Sequence, residues 1–269
     1  TLTRSPRRGH PEELPWQPDG LPGQLSTHLE GTTAVVNLAG ENIAAKFWSE
    51  GRKKQLRESR LLATRTLVRA IAGCARPPAA LISASAVGYY GPHGDKAVTE
   101  QTPPGSDFLA QLCVDWENEA RAGASARTRV AIVRSGLVLG ADGGALKKMI
   151  WPFKLGLGAT LGGGDQYMPW IHLDDWVALV TWLIGEVPAK GAFNATAPVP
   201  VNNRDFTRTL GRVLRRPAVF RAPAFVLQLG LGELADMLLT GQRVLPAAAE
   251  EMGFQFRYRE LEPALRSLN

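Results

Sequence analysis

Apolar residues fall in short blocks along this chain, and the spacing within each block sets the expected element. The run "TTAVVNLAG" (32–40) is a continuous apolar stretch stopped by glycine, the signature of a buried strand entering a turn. After Ser49, which suits an N-cap, Leu56, Ala63, Leu67 and Ile71 repeat at helical spacing until Gly73 ends the pattern. The same reading predicts strand 79–85, helix 107–122, strand 129–134, helix 145–155, a short "WIHLDD" element and helix 175–184. Strands alternating with helices imply an α/β fold, a doubly wound parallel sheet with helices on both faces. Residues 5–31, rich in Pro and Gly, read as loop. From about 191 the texture changes to "GAFNATAPVPVNNRDF", a strand, a Pro-rich link and a helix capped by Asn202 or Asn203. The expected division is a parallel-sheet domain over 1–190 and a small, mostly helical lobe over 191–269, with 143–170 also reaching the cleft between them.

Composition narrows the class. With 269 residues and 45% hydrophobic content, the chain can bury a sizeable core. Its formal charge of +6 is spread among alternating Arg and Glu, densest in "TRSPRR" and "RVLRRPAVFR". No nucleic-acid motif accompanies either stretch, so both read as solvated faces or anion contacts and no nucleic-acid partner is expected. Cys74 and Cys113 form no C-x-x-C pair, which points to neither zinc nor a disulfide framework and suits a reducing cytoplasm. No apolar run approaches the roughly 18 residues of a membrane span, so no membrane association is expected. A monomer or homodimer acting on a small molecule is the expectation.

Ligands of open parallel sheets lie at the carboxyl ends of the strands. Three such ends carry unusual chemistry here: "NLAGEN", "SASAVGYYG" and "VRSGLVLG". Gly40 allows close backbone approach in the first, Ser85 is followed by Tyr89 and Tyr90 in the second, and Arg134 leaves a strand in the third.

These stretches, with "ESRLLATRTLV", "PFKLGLG", "GGGDQYMPWIHLDD" and "GQRVLPAAAEEMGFQF" in the same order, resemble the epimerase-like family of atypical extended short-chain dehydrogenase/reductases over nearly the whole chain. The resemblance implies a Rossmann fold that binds NADP(H). It places Thr3 and Arg4 at the end of the fold's second strand, where a guanidinium would hold a 2′-phosphate. It also places Leu38, Ala39 and Gly40 over the adenine-side ribose, Gln55 and Arg60 on the following helix facing the cofactor, and Arg134 toward a phosphate or the nicotinamide. Relatives tend to carry glutamate at the position of Gln55.

Two departures stand out. G-x-G-x-x-G does not occur in the sequence, and G-x-x-G-x-x-G occurs only as "GYYGPHG" at 88–94, not in an opening strand–turn–helix unit. If Thr1–Arg4 ends the second strand, a glycine-rich unit of roughly 30 residues is expected before Thr1. The second departure concerns catalysis, which in such reductases uses a Tyr-x-x-x-Lys helix beside a strand-end serine. Ser85 matches the serine, but alignment on Trp116 and Glu117 puts Leu109 and Cys113 where Tyr and Lys belong. Four residues after Tyr89, Tyr90, Tyr167 and Tyr258 come His93, Gly94, Ile171 and Glu262, never lysine. The resemblance implies that the whole type lacks this pair.

The expectation is an NADP(H)-dependent oxidoreductase or epimerase-like enzyme on a small substrate, with Ser85 orienting the substrate oxygen and Tyr89 or Tyr90 as proton donor. The alternative is an NADP(H)-binding regulatory protein without turnover. His172, Asp174 and Asp175 read as structural, joining sheet to lobe and capping helix 175–184, rather than as a metal site. The loop "LGGGDQYMPW" is either a closing segment or a plain connection.

Overall fold

The computed structural model describes residues 1–141, 143–185 and 189–268. Its centre is a parallel sheet in the order Gly191–Ala195, Arg129–Ser135, Ala80–Ala86, Ala34–Asn37. Side chains alternate across such a sheet, so residue parity decides which layer each one meets. Ile82, Ala131, Val133 and Phe193 pack on one face with Leu179 and Leu183 of the helix Leu173–Gly185. Leu81, Val130 and Ile132 pack on the other with Leu67 and Ile71 of the helix Glu50–Ala72 and Ala120 of the helix Phe108–Arg121. The register then fixes the site: Ser85 lies opposite Arg134, and Arg134 opposite Asn194. All three share parity with Leu81, Ile132 and Ala192, so they point at the 108–121 helix.

Helix starts follow local chemistry. The Ser49 side chain accepts the Arg52 amide at 3.2 Å, Asp107 accepts that of Ala110 at 2.9 Å, and Asn202 accepts that of Asp205 at 2.8 Å. Each oxygen satisfies an amide that has no partner in the first helical turn.

Four expectations need correction. Strand 191–195 joins the main parallel sheet, so a boundary at 191 would cut the sheet rather than divide two lobes. The 5–31 segment is not all loop: Leu14–Pro15 pairs with Leu2–Thr3, and Leu25–Leu29 forms a short helix because Leu25 and Leu29, one turn apart, bury against the 50–72 helix. The 34–37 strand lies at the sheet edge, leaving Val36 39% exposed. Finally, the helix expected to be capped by Asp174 or Asp175 begins at Leu173, and both aspartates lie in its first turn.

That turn joins the lobe to the sheet. Buried Asp175 accepts the amides of Arg257 and Tyr258, both at 2.8 Å. The His172 ring stacks on Tyr258 at 3.9 Å between centroids, with Nδ1 accepting the Asp174 amide at 3.0 Å and Nε2 3.2 Å from Ser267 Oγ. A further core of Leu146, Trp170, Phe206, Leu210 and Leu265 holds the lobe together. The "LGGGDQYMPW" loop is tied down: Gln166 Nε2 donates to the Leu161 and Leu238 carbonyls, and Tyr167–Met168 pairs with Val201–Asn202.

Asp175→Ala strands two amides and should lower stability by about 3 kcal/mol in urea unfolding. Burial holds the His172 imidazole below its usual pKa, so the unfolded chain takes up a proton first as pH falls. Stability should therefore decline as pH drops below about 6.5, and His172→Phe should flatten that decline in pH-dependent melts.

Candidate active site

The shared register of Ser85, Arg134 and Asn194 has one physical consequence: a buried guanidinium next to a helix that must answer its charge. Arg134 is 2% exposed and Glu117 1%. Arg134 Nε and Nη2 donate to the two Glu117 carboxylate oxygens at 2.8 and 2.9 Å, a bidentate pair. Its Nη1 donates to the Tyr90 hydroxyl at 2.9 Å and to the Glu100 carbonyl at 3.3 Å. Ser85 Oγ donates to Glu117 at 2.7 Å, and Tyr90 donates to Asn194 Oδ1 at 2.7 Å. The Asn194 amide nitrogens, backbone and side chain, extend the network to Glu100 Oε1 at 2.8 Å and the Leu245 carbonyl at 2.9 Å.

The electrostatics follow from this packing. Desolvation pushes the Tyr90 phenol up to about 12 and raises the Glu100 carboxyl. Glu117 and the hydrogen-bonded Tyr90 hold the Arg134 guanidinium above its usual value despite burial. Cys113 sits beside Ser85 and Glu117, and burial with that carboxylate pushes its thiol up to about 11. Neither Cys113 nor Tyr90 ionises near neutral pH, so neither of these two groups exchanges a proton there.

Several expected roles change on this geometry. Tyr90 is fully buried with its hydroxyl engaged at both ends, so it is removed from the candidate proton donors. Tyr89 is half-buried, with the Arg134 guanidinium over its ring at 3.5 Å. Arg134 itself faces Glu117 and Tyr90 rather than a phosphate. His93 is anchored elsewhere: its amide donates to the Gly241 carbonyl at 3.2 Å, and its Nδ1 lies 3.4 Å from the Gly91 carbonyl.

The turn after the edge strand is built separately. Asn37 Oδ1 accepts the Ala39 amide at 3.2 Å and its Nδ2 donates to Thr64 Oγ1 at 2.9 Å, which shapes the turn after the edge strand. Leu38 is 57% exposed above it. Arg60 lies against Gly40, where a Cβ would stand 3.2 Å from the guanidinium carbon, so glycine here makes room for Arg60. Arg60 Nη1 and Nη2 donate to the Leu56 and Glu41 carbonyls, and its guanidinium lies 5.2 Å from the Trp116 ring centroid. It thus braces the turn. Arg4 reaches the same turn, with Nη2 3.6 Å from Glu41 Oε1 and the side chain 72% exposed. Thr3 Oγ1 accepts the Ser5 amide at 3.3 Å, and exposed Gln55 accepts from Arg52 Nη1 at 3.3 Å.

Two residues were missed at the level of sequence. Glu117 served only as an alignment anchor, yet it shares a helical face with Leu109, Cys113, Trp116 and Ala120, where a carboxylate needs a buried partner. Arg52 is buried in the first turn of the 50–72 helix, where the helix dipole disfavours a cation. It donates to the Asn42 carbonyl at 2.6 Å and to Glu41 at 3.3 Å, while its Nε has no partner among the described residues. The grouping close enough for a metal among the described residues is His10, Glu12 and Glu13, at the surface; His172, Asp174 and Asp175 do not form one.

A parallel sheet flanked by helices, with its chemistry at the strand carboxyl ends, defines a Rossmann-like nucleotide-binding protein. The model of the NAD dependent epimerase/dehydratase family matches residues 24–196, and that of a domain of unknown function, DUF1731, matches 222–268. The chain belongs to the NAD-dependent epimerase/dehydratase family. It is 44% identical over 269 residues to an epimerase family protein of Mycobacterium bovis, covering 98% of this chain and 88% of that protein. The crystal structure of human epimerase family protein SDR39U1 with NADPH matches with a TM-score of 0.92 at 36% identity, covering 99% of this chain and 89% of that one. A nucleoside-diphosphate sugar epimerase from Corynebacterium glutamicum matches with a TM-score of 0.78 at 33% identity, covering 98% of this chain and 51% of that one.

Glu117→Gln removes the charge that answers buried Arg134 and should cost about 3–5 kcal/mol in denaturant unfolding. Combined with Arg134→Met, the loss should be smaller than the sum of the two single losses, because both changes remove the same pair.

Proposed function

We propose that this chain is an NADP(H)-dependent oxidoreductase of the epimerase-like type, acting on a small substrate at the carboxyl ends of its parallel strands. The observation that carries the reading is the convergence of Arg4 on the turn after the 34–37 strand, where an exposed guanidinium stands beside Glu41. The donor set fits the 2′-phosphate end of NADP(H): Arg4 offers charge and a fork of donors, and the buried Arg52 Nε beneath the same turn has no partner among the described residues. Thr3, Leu38, Ala39 and Gly40 would line the adenosine, while Arg60 and Gln55 position that turn and Arg52 rather than meeting the phosphate. Family membership and the NADPH-bound human relative support the same cofactor.

The cofactor, when bound, supplies the hydride. Ser85 would orient a substrate hydroxyl by accepting its hydrogen bond, since its own proton is donated to Glu117. Tyr89 would wall the pocket, and Arg134 would act through Glu117 and Tyr90 as a positioning residue. No described side chain joins a phenol to an ammonium here, so rate enhancement would come from orientation. The two free, buried cysteines suit a reducing compartment, which we take to be the cytoplasm. Among the described residues no helix is long and apolar enough to cross a membrane.

A second reading, an NADP(H)-binding regulator without turnover, draws on one observation: the hydroxyls of Ser85 and Tyr90 are both engaged inside the protein. A substrate panel followed at the reduced-nicotinamide absorbance separates the two. Turnover lost in Ser85→Ala with NADPH binding retained supports the enzyme, and binding without turnover across the panel supports the regulator.

NADPH should bind more tightly than NADH in a fluorescence titration. Arg4→Ala should weaken NADPH binding about tenfold while leaving NADH nearly unchanged. Equal affinities of the unaltered protein for the two cofactors would contradict the assignment of Arg4.

A further inference from the structure

The helices Ala224–Leu231 and Leu234–Leu239 form a hairpin that packs chiefly on itself. The first has no buried residue, and the second buries only Leu234 and Ala235. Buried apolar contact is what usually holds an element to its domain, so this pair is held at a few points instead. Its two ends are fixed to the lobe. Before it, the 220–222 strand pairs with 159–161; after it, Gln166 Nε2 donates to the Leu238 carbonyl at 2.9 Å and the His93 amide to the Gly241 carbonyl at 3.2 Å. Gly232 makes the turn between the helices: its φ of +56° favours glycine, and nothing but its chain neighbours lies within 4 Å of where a Cβ would stand.

The turn is held by charge. Lys53 Nζ, in the first turn of the 50–72 helix, lies 2.7 Å from Glu233 Oε2 and donates to Oε1 at 3.0 Å. That hydrogen bond holds the Lys53 ammonium above its usual pKa. The same ammonium stands 5.5 Å from the Phe108 ring centroid, and Phe108 meets Trp48 edge-on at 5.5 Å. The helix starts at 50 and 108 lie at the carboxyl edge of the sheet, since each follows a parallel strand. The other end of the hairpin leads into Arg243–Val244, which pairs with Ala97–Val98 in the loop after Ser85, Tyr89 and Tyr90. The hairpin therefore reaches from that loop to the starts of the 50–72 and 108–121 helices, across the carboxyl ends of the 34–37 and 80–86 strands.

We infer that this hairpin is a lid over the strand-end cleft, and that the Lys53–Glu233 pair is the latch that holds it shut. One partly exposed ion pair shifts an equilibrium by about fivefold at most, so it holds the closed position without locking it. Closed, the hairpin shields the strand ends from water; open, it admits cofactor and substrate. The inference rests on the proposed NADP(H) site for what the lid admits, whereas the lid itself is defined by the anchored ends and the latch.

Charge reversal tests the latch without any ligand. Lys53→Glu and Glu233→Lys should each speed hydrogen exchange of the 224–239 amides about fivefold, and the double reversal should return it toward the unaltered rate. Access to the cleft is read from Leu109→Cys, because Leu109 faces the turn after Ser85: a Cβ at Gly88 would stand 3.4 Å from Leu109 Cβ. Labelling of that cysteine by a bulky maleimide, located by mass against the buried Cys74 and Cys113, should rise by a similar factor in either reversal and fall back in the double. Melting temperature of each variant shows that the fold is intact. Single reversals that leave exchange unchanged, or a double reversal that does not restore it, would overturn the latch. Faster exchange with unchanged labelling would mean that the hairpin opens away from the site, and would overturn the lid. Both readouts are taken without cofactor, so failure of the unaltered protein to bind NADPH would count against the proposed site and leave the lid to its own result.

Discussion

A guanidinium and a carboxylate removed from water must answer each other completely, and at the centre of this sheet Arg134 and Glu117 do so. Their two parallel hydrogen bonds bridge the sheet and the 108–121 helix. Burial of two charges costs several kcal/mol each, recovered only through good geometry and further bonds to the remaining donors and acceptors. Ser85, Tyr90 and the Glu100 carbonyl provide those bonds. From there Asn194 and Glu100 carry the network toward the lobe, because Glu100 Oε2 also accepts the Ala248 amide at 3.2 Å. Glu117 Oε2 also accepts Arg121 Nη2 at 2.6 Å, so the geometry of the strand ends depends on one buried carboxylate shared by two guanidiniums.

That dependence bears on the chemistry. The helix beside these strand ends carries Leu109 and Cys113, and the nearby hydroxyls of Ser85 and Tyr90 are bound into a fixed network. A buried, satisfied network gives rigidity at the expense of proton mobility. The proposed cofactor contacts belong to a different part of the molecule, the turn braced by Arg60 and approached by Arg4. The proposed nucleotide and reacting ends therefore rest on separate supports.

Much of the sheet was legible in the sequence because apolar runs and helical spacing are local signals. Ser49 and Asn202 announced their helices, and Ser85 was found at its strand end. The strand at 191 was read correctly as a strand but assigned to the wrong unit, since pairing with 129–135 is long-range information. The short helix at 25–29 was hidden by surrounding glycine and proline. Arg134 was noticed for its place after a strand, but its partner was not: the pairing depends on parity across the register, which no local pattern reveals. Glu117 on an apolar helical face was the available clue. Arg4, by contrast, was placed through resemblance alone, as a single terminal arginine carries no pattern of its own.

The most direct measurement is an ultraviolet difference titration of phenol ionisation in the folded protein beside Tyr90→Phe. With Tyr90 buried between Arg134 and Asn194, the difference between the two proteins should contain no phenolate at about pH 10, where an ordinary phenol is half ionised, while the fold persists. A phenolate band present near neutral pH and missing from Tyr90→Phe would contradict a locked network and return Tyr90 to the proton chemistry.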